Sequence, residues 1–184
     1  MTDKNHITTY TKAHFDPVQA REQDISIEDI AHALSLLCRA NGHIRQFYSV
    51  AQHCIHCAME AKAQGLCERV QLHCLLHDAA EAYIGDITRP LKRHLPTYVE
   101  AEDALQAVIL RALHIPALTE EEQKAIRSID DLLLHHEFLT YHGDHVWDEA
   151  PRLHITLPAE EVPHAQVEQE FLALYNRLAG PKKV

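Results

Sequence analysis

Apolar residues recur at three- and four-residue intervals in one segment after another of this chain, which is the spacing of an α-helical face. The first such segment follows Ser26, a typical N-cap residue, and extends to Asn41-Gly42, where a helix would end. Few glycines (5) and few aromatic residues (6%) accompany the pattern, which favours helices over a turn-rich β architecture. Further helices are predicted over residues 49–65, 68–85, 99–113, 119–139 and 165–178. The sequence therefore predicts an all-α fold, a single bundle of about six to eight helices.

The 184 residues have the length of one ordinary domain that can bury a continuous core. Residues 1–24 are polar and aperiodic, and we expect them to form an N-terminal arm. Residues 85–96 contain two prolines and are expected to form a loop or a short broken helix. Residues 141–163 hold the only tryptophan and three prolines, and should wrap the surface before the last helix, 165–178, packs back. We therefore expect one domain over residues 1–184.

The formal net charge of −10 makes the surface as a whole repel phosphate backbones. A protein that coats a nucleic acid polymer normally has the opposite balance, so we expect no such partner. A small anion could still bind in a local cationic pocket. Five basic residues cluster in sequence where such a pocket could form: Arg39, Arg45, Arg89, Lys92 and Arg93.

The five cysteines lie in segments that otherwise have helical patterns, and no secretory signal precedes them. Cys54 and Cys57 form a C-x-x-C, but no second pair follows at the spacing of a zinc finger or ribbon. We therefore expect reduced thiols and no cysteine zinc site. No apolar run approaches the roughly 18 residues that span a bilayer. We expect a cytoplasmic protein that does not enter membranes.

An adjacent pair, His77 and Asp78, interrupts the apolar sequence of the third predicted helix. A buried carboxylate is unfavourable unless it is paired or bound to a metal ion, so the pair indicates a metal site. His53 and Asp130, on other predicted helices, are available to complete the ligand set. Imidazole and carboxylate ligands suit Mn, Fe, Co or Ni better than structural zinc. With 16 histidines in the chain, however, the dipeptide alone is weak evidence.

Three stretches carry a resemblance that strengthens this interpretation: IEDIAHALS at 27–35, RQFYSVAQH at 45–53 and LLHDAAEAYIGDITRPLK at 75–92. Over roughly residues 7–140 the order and spacing resemble the HD-domain metal-dependent phosphohydrolases, in particular the subgroup of bacterial 5′-deoxynucleotidases. The resemblance implies an all-α HD fold in which one divalent cation (Mn, Co, Fe, Ni or Mg) is bound by four residues: His53, His77, Asp78 and Asp130. It favours Asp130 over Asp131, because the subgroup places a glutamate seven residues after its aspartate, as Glu137 is here. Asp131 would then face solvent.

The resemblance also implies roles around the ion. Glu81, one helical turn after Asp78, would orient the attacking water or protonate the leaving oxygen, and Asp78 would contact both ion and water. Asp86 corresponds to a carboxylate that contacts the nucleoside sugar. Phosphate would be bound by three cations: Arg39, Arg45 and Lys92. The aromatic ring of Tyr48 could stack on a base, but a role in packing fits the sequence equally well.

The leading hypothesis is a 5′-deoxynucleotidase that releases phosphate from deoxyribonucleoside 5′-monophosphates. One alternative keeps the metal site but cleaves deoxynucleoside triphosphates to nucleoside and triphosphate. Another alternative is a non-catalytic helical module that binds a nucleotide or a metal ion. Relatives often form dimers, so a homo-oligomer that uses the last helix is a further expectation.

Overall fold

The computed structural model describes residues 5–144, 146–149 and 151–180, so the ends of the predicted N-terminal arm and of the chain lie outside it. Within these residues, two short antiparallel strands, β1 and β2, precede eight α-helices, and the predicted all-α class is confirmed. The division into one domain with an arm stays a prediction. The elements are β1 (Ile7–Thr8), β2 (His14–Phe15), α1 (Ile27–Leu36), α2 (Val50–Ala63), α3 (Glu68–Leu76), α4 (Glu81–Ile84), α5 (Arg89–Lys92), α6 (Pro96–Ala112), α7 (Glu120–Glu137) and α8 (His164–Ala179).

The first helix begins where the sequence predicts but ends earlier than predicted. The Ser26 hydroxyl accepts a hydrogen bond from the Glu28 amide and caps the start of α1. The prediction that the helix continues to Asn41-Gly42 is wrong, because the chain becomes extended at Leu37 and its carbonyl oxygen accepts a hydrogen bond from the Val50 amide. The backbone after α1 thus pairs with the segment that leads into α2.

The third predicted helix is divided at the His-Asp pair. In α3 the Cys74 carbonyl oxygen would normally bind the Asp78 amide, but it accepts a hydrogen bond from His77 Nδ1 at 2.7 Å instead. Tighter turns follow, in which the Glu81 amide binds the Asp78 carbonyl oxygen at 3.0 Å. The pair therefore lies in a turn between α3 and α4, and not inside a continuous helix.

Helix α2 is at the centre of the bundle, where it packs against α1, α3, α7 and α8. Its start is fixed by a capping box, in which Ser49 and Gln52 each bind the backbone amide of the other. Apolar side chains from all of these helices join one core cluster, and Phe15 of β2 is buried in it against Tyr83, with ring centroids 4.1 Å apart. Part of the predicted N-terminal arm is thus anchored in the core.

The C-terminal half follows the predicted order. Thr119 and Glu122 form a capping box at the start of α7, as the sequence predicts. After α7 a π-helical turn over Phe138–His142 leads into an irregular segment across the surface, where buried Glu60 accepts hydrogen bonds from the amides of His154 and Ile155. The last helix, α8, then packs back against α1. No helix in the described part of the chain is long and apolar enough to cross a membrane.

Candidate metal centre

Four side chains converge where α2, the α3–α4 turn and α7 meet. His53 Nε2 lies 3.3 Å from His77 Nε2, 3.1 Å from Asp130 Oδ1 and 3.9 Å from Asp78 Oδ2. His77 Nε2 lies 3.3 Å from Asp78 Oδ2 and 3.8 Å from Asp130 Oδ1. These are the four residues that the resemblance implies as ligands, and they come from three separate segments of the chain.

Each of the two histidine rings is oriented by a hydrogen bond from its Nδ1 atom. His53 donates from Nδ1 to Glu137 Oε1 at 2.6 Å, and His77 donates from Nδ1 to the Cys74 carbonyl oxygen at 2.7 Å. Because the neutral ring carries its hydrogen on Nδ1 in each case, both Nε2 lone pairs point into the cluster. This arrangement, in which the second ring nitrogen binds a carboxylate or carbonyl, is the usual support of a metal-binding histidine.

The spacing of the donor atoms fits one ion. Two atoms that each lie about 2.1 Å from a metal ion are separated by about 3.0 Å at a right angle and about 3.4 Å at the tetrahedral angle. The separations here run from 3.1 to 3.9 Å, which is close to these values. Two imidazoles and two carboxylates form the borderline donor set that divalent transition ions favour.

The electrostatics of the cluster also favour a cation. Burial and the charge of Arg39 oppose protonation of His53, but the carboxylates of Glu137 and Asp130 outweigh them and raise its pKa. Burial also opposes protonation of His77, and the adjacent Asp78 raises its pKa. The carboxylates thus draw positive charge onto both rings, and a divalent ion would replace those protons.

Two buried thiols lie close to the histidine rings, but neither lies at the point where the four side chains converge. Cys57 Sγ is 3.5 Å from His53 Nε2 and 4.0 Å from Nδ1, so it sits beside the ring and not beyond Nε2 along the lone pair. Cys54 Sγ is 3.9 Å from His77 Nδ1, the nitrogen that binds the Cys74 carbonyl. Their sulfur atoms do come within 4.8 Å of ligand atoms of the centre. Burial raises the pKa of Cys54 to about 11 and raises the pKa of Cys57 well above its usual value, which keeps both thiols protonated.

Glu81 is buried beside this cluster at the start of α4. Its Oε1 accepts a hydrogen bond from Lys92 Nζ at 3.1 Å, whereas its buried Oε2 has no hydrogen-bond partner among the described residues. Burial and the nearby charges of Asp78 and Asp86 raise the pKa of Glu81 to about 9, against the opposing effect of Lys92. The carboxyl group therefore holds a proton at neutral pH. Asp86, half-buried in the loop after α4, faces the same cavity.

The cavity next to the cluster has a volume of about 860 Å³. Asp78, Asp130 and Glu81 line it, together with basic residues of α5, the residue just after α5, and Arg39 in the segment between α1 and α2. A site of this size is at the upper end of the range for small-molecule pockets. The cationic lining provides the local pocket that the acidic chain needs to bind a small anion: Arg39, Arg89, Lys92 and Arg93.

The predicted substrate contacts are only partly brought together. Arg39 lines the cavity and pairs with Glu137 at 3.2 Å and with Asp78 at 3.7 Å, so it also supports the metal ligands. Lys92 lines the cavity between Glu81 and Glu102. Arg45 is exposed and does not line the cavity, because its guanidinium packs against Gly143. The suggestion that Arg45 binds phosphate is therefore not supported by its position.

Tyr48 is almost completely buried, with 1% of its surface exposed. Its hydroxyl donates to Glu137 Oε1 at 2.8 Å and accepts from His56 Nδ1 at 2.7 Å. Its ring packs against Tyr141, with centroids 4.6 Å apart. Little of the ring is left for a nucleobase, so the packing role that the sequence left open fits the structure better than base stacking.

Three residues make contacts at the centre that the sequence does not predict: Arg89, Asp131 and Glu137. Arg89 of α5 donates to Asp130 Oδ2 and to Asp131 Oδ1, and so fixes the oxygen of Asp130 that faces away from the histidines. The Asp131 side chain is 43% exposed, as expected of a solvent-facing charge, but it also lines the cavity and binds Arg89. Glu137, whose spacing favours Asp130 over Asp131, is the direct partner of His53. The seven-residue spacing from Asp130 was the sequence signal for it.

The structure is thus an all-α bundle with a candidate metal-binding cluster of histidines and aspartates between its helices, and comparison with known families identifies the class of domain. The family described as the HD domain matches residues 42–149, which include all four residues of the cluster. The chain therefore belongs to the HD-domain family, whose members are in general metal-dependent phosphohydrolases that bind divalent metal ions.

Two curated relatives are similar to this chain. The uncharacterized protein YfdR of Escherichia coli is 42% identical over 110 residues, which cover 60% of this chain and 59% of YfdR. An uncharacterized protein of Rhodobacter capsulatus is 38% identical over 121 residues, or 62% of each chain. The chain thus spans about three fifths of the length of these relatives.

Proposed function

We propose that this protein hydrolyses the phosphate ester of small nucleotides, and that deoxyribonucleoside 5′-monophosphates, which would release inorganic phosphate, are its substrates. The observation that carries the proposal is the convergence of His53, His77, Asp78 and Asp130, within 3.1–3.9 Å, beside a cavity that Glu81 and Lys92 also line. We assign these four residues as the ligands of one divalent cation. When bound there, the cation would polarise the phosphate and lower the pKa of the attacking water.

The remaining residues supply binding and proton transfer. Lys92 and Arg39 provide positive charge for the phosphate oxygens, where charge increases as the bond to phosphorus breaks. Glu81 holds a proton on its buried carboxyl group and would deliver it to the leaving 5′ oxygen of the nucleoside. Asp78 would contact both the cation and the water, and Asp86 the sugar.

One other substrate class is favoured by a specific observation. A cavity of about 860 Å³ has room for a triphosphate chain as well as a nucleoside. Hydrolysis of deoxynucleoside triphosphates to nucleoside and triphosphate at the same centre is therefore the second candidate. The chemistry at phosphorus is the same in both, and the reaction products differ.

A substrate panel tests the proposal. Deoxynucleoside mono-, di- and triphosphates are incubated with the protein and Mn²⁺, Co²⁺ or Mg²⁺, and phosphate and triphosphate are measured separately. Release of phosphate from monophosphates supports the first candidate, and release of triphosphate supports the second. No turnover by protein shown to contain a metal ion would refute the enzyme proposal and leave a non-catalytic binding module.

Two variants test the division of roles at the centre. Asp78→Ala is expected to lose both metal content and turnover, whereas Glu81→Gln is expected to keep the metal and lose about 10²- to 10⁴-fold in rate. Glu102→Gln is the matched control, because Glu102 also binds Lys92, at 2.6 Å, but does not line the cavity. Equal loss of metal from the Asp78 and Glu81 variants would contradict the assignment of Glu81 to proton transfer.

A further inference from the structure

The cavity beside the metal centre has two chemically different linings. Near the cluster the lining is cationic and comes from Arg39 and from α5. A second part is apolar and aromatic and comes from the end of α7 and the segment after it: Leu134, Phe138, His142, Val146 and Trp147. A nucleotide combines the same two chemistries, an anionic phosphate and a planar aromatic base.

Trp147 is held in place by one face of its ring. The indole stacks on the buried ring of His135, with centroids 5.4 Å apart and planes inclined by 12°. The Trp147 amide also donates to His135 Nδ1 at 3.2 Å. Even so, 37% of the residue's surface is exposed, and it contributes to the cavity wall. One face of the ring is therefore packed, although the residue as a whole stays partly exposed at the cavity wall.

We propose that Trp147 is the platform on which the base of a bound nucleotide stacks. This inference rests on the proposed function and adds a specificity residue to it. An aromatic ring fixed by packing on one side needs little ordering when a second ring stacks on it. Every base has a flat π-face, so such a platform favours nucleotides over simple sugar phosphates with little preference among bases. Trp147 then provides the stacking contact that the sequence suggested for Tyr48, which is too deeply buried to do so.

The chain contains a single tryptophan, so its intrinsic fluorescence reports on this position alone. Deoxyadenosine and deoxyadenosine 5′-monophosphate are expected to quench the emission of the metal-loaded protein in a saturable manner. 2-Deoxyribose 5-phosphate, which lacks the base, is expected to leave it nearly unchanged. Emission that responds equally to all three compounds, or to none of them, would overturn the proposal that a base stacks on Trp147.

Kinetics give a second, independent readout. Trp147→Leu is expected to raise KM for deoxyadenosine 5′-monophosphate about tenfold, while kcat changes less than about threefold. The kinetics of this variant with 2-deoxyribose 5-phosphate should not change. The KM of Trp147→Phe for deoxyadenosine 5′-monophosphate should stay close to the wild-type value. An equal loss with both substrates would mean that Trp147 acts only through packing on His135, and would refute the proposal.

The two proposals can fail separately. Turnover of nucleotides without quenching by deoxyadenosine would leave the phosphohydrolase proposal standing and remove the platform. Quenching by deoxyadenosine without turnover would support the platform in a binding module. Because the fluorescence experiment uses the wild-type protein, it stays decisive even if Trp147→Leu does not fold.

Discussion

Glu137→Gln is expected to weaken the binding of a divalent ion about 10- to 100-fold, which corresponds to about 1.4 to 2.8 kcal/mol. The Glu137 carboxylate accepts hydrogen bonds from His53 at 2.6 Å, from Tyr48 at 2.8 Å and from Arg39 at 3.2 Å. All three partners are donors. A glutamine has one oxygen and one NH₂ group, so at least one of the three would meet a donor instead of an acceptor.

The charge of Glu137 matters as much as its geometry. Burial disfavours the ionised carboxylate, but His53 and Arg39 outweigh it and lower the pKa of Glu137 to about 2. The variant therefore removes a full negative charge at any pH used for an assay. His53 loses the charged acceptor that holds its hydrogen on Nδ1 and directs the Nε2 lone pair towards the ion, and a neutral amide replaces that acceptor at best.

The affinity is measured by calorimetric titration of Mn²⁺ into metal-free protein, with circular dichroism to check folding. Glu168→Gln is the matched control, because Glu168 also binds a histidine, His32, at 3.0 Å but has no part in the metal centre. We expect wild-type affinity from the control. Folded Glu137→Gln protein that binds Mn²⁺ as tightly as the wild type would refute the role of Glu137, as would an equal loss in both variants.

Two further predictions concern stability. Ser49→Ala removes the capping box of α2 and should lower the free energy of unfolding by about 1 kcal/mol, seen as a lower urea midpoint at unchanged slope; an unchanged midpoint would contradict it. Burial lowers the pKa of His56 to about 4, so between pH 6.5 and 4 the unfolded state binds a proton that the native state does not. This group should therefore make stability fall by about 3 kcal/mol as the pH drops through that range, and His56→Gln should show a shallower fall in urea titrations.

The helices that the sequence predicts best are those whose ends depend on local chemistry. The capping box at Thr119 and the apolar spacing of α8 lie entirely within their own segments, and both helices are found close to the predicted ends. The errors come from contacts between segments or from side chains. α1 stops at Leu36 because Leu37 pairs with Val50, and α3 stops before His77 because a side chain takes the Cys74 carbonyl. The spacing of apolar residues in the sequence indicates neither the backbone pairing nor the side-chain hydrogen bond.

In the candidate site, too, some features are predictable from the sequence and others depend on contacts between distant segments. The four histidine and aspartate positions could be proposed from the motif because metal binding restricts residue type and spacing together. The cationic contacts are less restricted, since a basic residue near the motif in sequence can point elsewhere. Arg45 is an example: its amide binds the Tyr141 carbonyl, and its side chain packs on Gly143 and does not line the cavity. Arg89 is the opposite case, because only the packing of α5 brings it to Asp130.

The geometry of α7 explains why a glutamate seven residues away distinguishes Asp130 from Asp131. Seven residues span almost two helical turns, so Asp130 and Glu137 project within about 20° of each other around the axis, whereas Asp131 is about 100° away from Asp130. One face of α7 can therefore bind both nitrogens of a single imidazole: Asp130 meets His53 Nε2 at 3.1 Å, and Glu137 meets Nδ1 at 2.6 Å. An aspartate at 131 cannot share that ring with Glu137. The seven-residue spacing thus lets α7 hold His53 between two carboxylates. Asp130 would bind the same ion as His53, and Glu137 orients the His53 ring.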